Sequence, residues 1–310
     1  LLPGVVGHVR QPLEGHGSIL RMAQTRPFER ESDVRLIQDL CAETWRRLGP
    51  YTPVHVGDVA WWMYQRPNRL ADARIQLWLE DGACVAFAWN WLSKGDLDCV
   101  VHPDRPEYLD DVLAWADAPT VYTQESDSHK IERLEAHGYE RVDGDVSNHM
   151  VLSLDGELQE PRVPDGYRLR TVGPPDLERR VEVHRAAFAP SRVVPESYAR
   201  LQLEWPYRAD LDHVIEAQDG TFAAFCLAWL DEENRAGLLE PVGTHPDHRR
   251  RGLATAVCLG AVRSLQSAGA AVAVIGSLDP SPAEAVYEQV GFRSVTRHVP
   301  YGKKSADDGV

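Results

Sequence analysis

The chain has 310 residues, about twice a common domain length, so two domains are expected. Apolar residues make up 43% of it, an ordinary globular share, and no run approaches the roughly 18 apolar residues of a membrane span. A formal charge of −14 speaks against nucleic acid or an anionic membrane as main partner and mildly suits a cationic or amine substrate. No basic stretch followed by an apolar one marks a signal peptide, so a cytoplasmic location is expected. The five cysteines (Cys41, Cys84, Cys99, Cys226, Cys258) are odd in number, lack C-x-x-C spacing and sit in apolar runs, which predicts buried, reduced thiols.

Taken along the chain, one pattern occurs twice. The stretch GACVAFAWNWLSKGDLDCVVHPD (Gly82 to Asp104) reads as two apolar strands joined by a polar turn and ending in His-Pro-Asp, and GTFAAFCLAWLDEENRAGLLEPVGTHPD (Gly220 to Asp247) resembles it. Further on, IERLEAHGYERV (Ile131 to Val142) matches EAVYEQVGFRSV (Glu284 to Val295), a short helix closed by glycine and then a strand opened by an aromatic residue. Between the copies, LDGELQEPRVPDG (Leu154 to Gly166) has the prolines, glycines and acids of a linker. The expected layout is an N-terminal extension (1–17), a first domain (18–158), a second (159–302) and a disordered tail (303–310).

The second copy reads strand, helix, helix, three strands, helix, strand, helix, strand. Tyr167 to Val172 is the first strand, Asp176 to Phe188 an amphipathic helix, and Pro195 to Trp205 a second helix opened by proline. HVIEAQ and TFAAFCLAWL form a hairpin about Asp219-Gly220. AGLLEPVGT is the next strand, and Leu253, Val257, Ala261 and Leu265 repeat at helical spacing. AVAVIGS (Ala271 to Ser277) is a buried strand, so the copy is an α/β layer.

Between the third strand of that run and its helix lies HPDHRRRGLATAV (His245 to Val257), with Arg249, Arg250 and Arg251 set against Gly252. Arginines are unfavourable at a helix N-terminus, which already carries partial positive charge, unless an anion joins them. Free N–H groups of the first turn, glycine and forked guanidinium donors suit a phosphate. The alternative is a solvated basic helix start. No G-x-x-x-x-G-K-[ST] occurs, and no G-x-G-x-x-G follows the first strand of either copy, so ATP and dinucleotide readings lose their support. No metal site is expected, the twelve histidines being scattered.

Arg249 to Ala254 resembles the R/Q-x-x-G-x-G/A pyrophosphate motif of the GNAT superfamily of acyl-CoA-dependent N-acyltransferases, with EPVGTHPDH upstream and AVYEQVGF downstream in agreement, over residues 167 to 300. The resemblance implies an α/β (α+β) protein of two tandem GNAT folds, each a mixed, mostly antiparallel sheet flanked by helices, as in mycothiol-synthase-like tandem members. It implies an acetyl-CoA-dependent transferase acting on a primary amine of a small molecule or peptide, with acetyl-CoA and the amine as partners. Backbone groups of Arg250, Arg251, Gly252, Leu253, Ala254 and Thr255, with Arg249, would hold the pyrophosphate, and Val242, Gly243 and Thr244 the pantetheine arm. Tyr287 matches the family's proton donor to the leaving thiolate, Glu240 its carboxylate that takes the amine proton, and the Val242 N–H an oxyanion donor. Pro280 replaces a frequent asparagine that touches the cofactor, with Ser281 next to it as a substitute contact. Arg192, Tyr198, Trp205 and Tyr207 would line the acceptor pocket, and Trp61, Trp62 and Tyr64 occupy the matching region of the first copy.

In the first copy RPEYLDDVLAWA follows His102-Pro103-Asp104, with neither arginine run nor glycine; Glu107, Asp110 and Asp111 would repel a pyrophosphate, and Leu134 stands where the second copy has Tyr287. A degenerate first copy that binds no acetyl-CoA and walls the acceptor site follows, and the tandem pair is compatible with a monomer or a homodimer. Two alternatives stand beside the enzyme: a non-catalytic acyl-CoA sensor using the same pocket, and an acyltransferase acting on a hydroxyl or a protein lysine.

Overall fold

The computed structural model describes residues 23–303. The first half runs β1 (Gln24–Pro27), α1 (Ser32–Leu48), α2 (Val56–Tyr64), β2 (Ala73–Glu80), β3 (Ala83–Trp91), β4 (Asp96–Val101), α3 (Tyr108–Ala116), β5 (Thr120–Gln124), α4 (Ser128–Ala136), β6 (Tyr139–Arg141) and β7 (Val146–Ser153). The second runs β8 (Tyr167–Thr171), α5 (Leu177–Ala187), α6 (Pro195–Leu201), β9 (Asp212–Ala217), β10 (Phe222–Asp231), β11 (Ala236–Thr244), α7 (Leu253–Ser267), β12 (Val272–Asp279), α8 (Pro282–Val290) and β13 (Arg293–Lys303). That is the strand and helix order expected for the second copy, and the fold is the mixed α/β class expected. All five cysteines are free and buried. Among the described residues no helix is long and apolar enough to cross a membrane.

Local chemistry explains the boundaries. Ser281 caps α8, its Oγ accepting from the N–H of Ala283 at 3.1 Å, and Gly291 ends that helix at φ 119°. Helix α6 stops at Leu201 rather than running to Trp205. Trp205 precedes Pro206, which disfavours helical backbone, and Leu203 is 80% exposed, so no core contact holds another turn. The extension at 1–17 and the tail after Lys303 lie outside the described residues; Lys303 itself ends β13 and pairs with Asp117.

The strands form one sheet in the order β1-β2-β3-β4-β5-β13-β7-β12-β11-β10-β9-β8, with β6 pairing on β13. Two separate sheets were the expectation; instead the halves exchange their final strands. β7 of the first half lies antiparallel along all of β12, from Val272 opposite Ser153 to Asp279 opposite Val146. β13 of the second half pairs with β7 and then with β5, from His298 opposite Gln124 to Gly302 opposite Thr120. Only two neighbouring pairs are parallel, and each is brief. β4 meets β5 at Asp96–Thr120 and Leu97–Val121, and β11 meets β12 from Ala236–Val272 to Leu238–Val274. Beyond these points the strands diverge, opening one cleft in each half.

The core crosses the same seam. A single cluster joins Ile37, Leu40, Val59 and Trp61 to Val181, Tyr198, Leu227 and Trp229. Gly57 on α2 lies so close to Trp229 on β10 that a Cβ there would stand 2.3 Å from the indole Cγ. Gly57→Ala is therefore expected to lower stability by about 1–3 kcal/mol through overpacking, read as a lower urea midpoint at unchanged slope. A chain beginning at residue 159 would leave β12 and β13 without β7. It is expected to aggregate or stay unfolded by circular dichroism and gel filtration, and co-expression with residues 1–158 is expected to restore a soluble complex.

Candidate active site

The loop from Arg249 to Gly252 turns sharply before α7. Arg250 has φ 62° and Gly252 φ 76°, both left-handed. A Cβ at Gly252 would meet nothing within 4 Å, so the glycine answers to its backbone angle, not to crowding by protein atoms. Ala256 donates to the carbonyl of Gly252, and the N–H groups of Leu253, Ala254 and Thr255 precede that ladder. Leu253 anchors the turn by burying its side chain, while the Thr255 hydroxyl reaches Gln289 at 3.2 Å. Arg249 and Arg251 make only long bonds of 3.4 Å to backbone carbonyls. Among the described residues no carboxylate forms an ion pair with Arg249, Arg250 or Arg251, although the chain is acidic. Free donors, a helix dipole and unneutralised guanidinium groups fit a diphosphate.

One strand earlier, Val242, Gly243 and Thr244 pair with Cys226, Phe225 and Ala224 of β10 on one side. Their other edge lies past the last contact with β12, at Leu238, and is open for an added strand. Gly243 packs under this edge, where a Cβ would stand 2.6 Å from the Phe225 ring. Between Val242 and Leu239 the register shifts, so that Glu240 and Pro241 bulge opposite Leu227. Bulges of this kind re-aim side chains beside active sites. Trp229 Nε1 ties the bulge down by donating to the Glu240 carbonyl at 2.6 Å.

Glu240 lines two cavities, of about 650 and 640 Å³, and Trp62 and Asp98 line both with it. Its carboxylate has no hydrogen-bond or ion-pair partner among the described residues, and burial pushes it up to about 7. Asp58 on α2 lines the first cavity; burial, and then the Glu240 charge, push it up to about 8, although its carboxylate accepts from the His55 N–H at 2.7 Å. Asp98 accepts from Trp91 Nε1 at 2.6 Å and is also raised by burial. His184 in the second cavity is held neutral, burial and then Arg180 lowering it to about 3. Tyr287, buried on α8, is raised well above its ordinary value by burial and by Cys258, Glu240 and Cys226, so it stays protonated.

Of the four residues expected to line the acceptor pocket, Arg192 lines the second cavity. The other three do not. Tyr198 is fully buried and donates to Asp212 at 2.5 Å, closing a core network with Arg180. Tyr207 bonds Gln202 and Asp212 and stands edge-on to Trp229. Trp205 is 43% exposed on the outer surface with the Arg35 guanidinium 4.0 Å from its ring centroid. Ser281 spends its acceptor on the α8 cap. In the first half, Trp61 and Trp62 line the second cavity, whereas Tyr64 is buried beneath Arg200. Asp58, Arg66, Arg69, Trp91 and Asp98 also face the cavities, and no motif marks them in the sequence. Leu134 is fully buried, and Asp110 near the start of α3 is paired with Arg133 and His137. Among the described residues no group of three or more His, Cys, Asp or Glu could hold a metal ion.

The FR47-like protein family matches residues 220–299, which contain β10 to α8, the arginine loop and the first part of β13. A mycothiol acetyltransferase of Saccharomonospora viridis is 26% identical over 227 residues, covering 67% of this chain and 74% of that protein. Another, from Streptomyces coelicolor, is 29% identical over 185 residues, covering 53% of this chain and 59% of its own length. Among solved structures, a GCN5-related N-acetyltransferase from Sphaerobacter thermophilus aligns at TM-score 0.61 and 20% identity, over 90% of this chain and 95% of that one. A tandem GNAT protein from the clavulanic acid biosynthesis pathway aligns at TM-score 0.61 and 18% identity, over 92% and 99%. Fold and likenesses together show two fused copies of the GNAT fold. The relatives named as acetyltransferases support an acyltransferase of that type.

Asp58 supplies a stability test. Its folded value of about 8 lies above the ordinary 3.8, so its contribution is fully present below about pH 4 and is lost as pH rises through 8. Asp58→Asn is expected to gain stability relative to the native chain between pH 5 and pH 8, at up to about 1.4 kcal/mol per pH unit, measured by urea unfolding across that range.

Proposed function

We propose that the chain moves an acetyl group from acetyl-CoA to a primary amine, with the working site in the second half. The observation that carries this is the half-buried Glu240 carboxylate, unpartnered among the described residues, at the mouth of the β11–β12 cleft, on the strand that leads directly into the anion-ready start of α7. Arg249 to Thr255 would hold the diphosphate of the CoA, and the open edge at Val242 to Thr244 its pantetheine arm. When bound, the thioester supplies an activated acyl group.

The chain's own residues do the rest. Glu240, at about 7, is poised to take a proton from an ammonium or from an intervening water near neutral pH. The Val242 N–H lies beside the bulge, where a carbonyl oxygen gathering negative charge would find a donor. Tyr287, kept protonated, would return a proton to the departing thiolate. The first half contributes walls: Trp61, Trp62 and Asp98 close the space in front of Glu240, while the acids of α3 leave that half unsuited to a diphosphate.

With the full chain, release of free CoA thiol in the presence of an amine panel is the direct test. kcat/KM is expected to rise with an apparent pKa near 7, and Glu240→Gln is expected to flatten that limb. Tyr287→Phe is expected to lower kcat by about a hundredfold with acetyl-CoA affinity unchanged, and Gly252→Ala to weaken acetyl-CoA about tenfold or more by calorimetry. Calorimetry showing no acetyl-CoA uptake by the native chain would overturn the proposal, and uptake with no thiol release on any amine would favour a sensor.

A further inference from the structure

The second cavity is divided in charge, and two of its cations, Arg69 and Arg192, are left without an ion-paired acid among the described residues. Arg69 lies in the turn before β2, its Nε donating to the Trp62 carbonyl at 3.0 Å and its guanidinium 3.9 Å from the centroid of the Trp91 ring. Among the described residues its two terminal nitrogens have no acceptor, and no carboxylate forms an ion pair with it. The nearby Asp72 is taken by Arg66 at 2.6 Å and by the Ser93 hydroxyl at 3.0 Å. Arg192, reaching in from the α5–α6 loop of the second half, has neither an ion pair nor a hydrogen bond among the described residues. Burial pulls Arg69 down to about 10, the Arg66 charge and, more weakly, that of Arg192 acting in the same direction against the charges of Asp72 and Asp98. A half-buried, stacked guanidinium facing a cavity with no carboxylate in direct contact is costly in a folded chain unless something else neutralises it. Glu240 is the mirror case on the same cavity, an acid without a cation.

Building on the acetyltransferase reading, we infer that the acceptor carries an anionic carboxylate or phosphate as well as its amine, the anion held between Arg69 and Arg192 and the amine turned to Glu240. The fork of each guanidinium matches either oxyanion, and stacking on Trp91 fixes the plane of Arg69 before the ligand arrives. Because Arg69 comes from the first half and Arg192 from the second, the anion would bridge the two copies. Trp61 and Trp62 give the same cavity an apolar wall for the stem that separates the two charges.

The test uses the full chain, with CoA release measured on matched acceptors: each common amino acid beside its amide, and phosphoethanolamine beside ethanolamine. The anionic member of a pair is expected to be preferred by about tenfold or more in kcat/KM, the amino acids against phosphoethanolamine telling carboxylate from phosphate. Arg192→Ala, at an exposed position, and Arg69→Gln are expected to raise KM for the anionic acceptor by about tenfold at near-constant kcat, bringing the preference towards unity, with Arg69→Lys restoring part of it. Turnover without any preference, or a preference that both variants retain, overturns the anion site and leaves the acetyltransferase reading standing. No CoA release with any acceptor, while calorimetry detects amino acid binding that Arg192→Ala abolishes, overturns the acetyltransferase reading and supports the anion site.

Discussion

The insertion of β7 between β12 and β13 is the constraint on which the molecule depends. Eight residue pairs of β12 are matched against a strand from the other half, so the second copy's sheet is completed by the first, and β13 repays the first copy by pairing with β5. Unpaired backbone at those edges would be both costly and aggregation-prone. The exchange welds two copies into one sheet, and the packing of α2 on β10 through Gly57 and Trp229 continues that seam into the core. Divergence of β11 from β12 then has a firm frame: β11 is held by β10, β12 by β7, and the gap between them stays open.

That frame also sets the electrostatics. A carboxylate on β11 would be hydrated at the rim of a lone copy, but α2 and β4 of the other half stand in front of it. Desolvation, not any paired charge, is what raises Glu240, and Asp58 feels both burial and its neighbour. Where the protein wants an acid ionised it surrounds it with arginine, as at Asp176 and Glu216, which Arg170 and other guanidinium groups hold down at about 2. Glu240 receives no such support. The contrast separates acids that hold the fold from Glu240 at the cleft.

Much of the second half was legible because its signals are local. Periodicity over Leu253 to Leu265, the Asp-Gly hairpin and the glycine after Val290 each act within one or two turns of chain, and the structure follows them. The role of Gly252 was half visible: a glycine was expected for close approach, and the left-handed φ is what it provides. Tyr198 and Tyr207 show the opposite limit. An aromatic beside a loop looks the same in sequence whether it faces ligand or core, and here both hydroxyls were claimed by buried Asp212, whose need for donors arises only once β9 and α6 meet.

Sequence alone determined the two copies, the α/β order of the second, the anion-ready helix start and the loss of that start in the first, because each is written in residues close together along the chain. Tertiary structure alone decided that the copies exchange strands, that Asp58, Asp98, Arg69 and Trp91 converge on Glu240, and which aromatic residues face the cavity. Those facts depend on pairings between segments more than a hundred residues apart and on how completely water is removed between them, and neither leaves a local trace in composition or period.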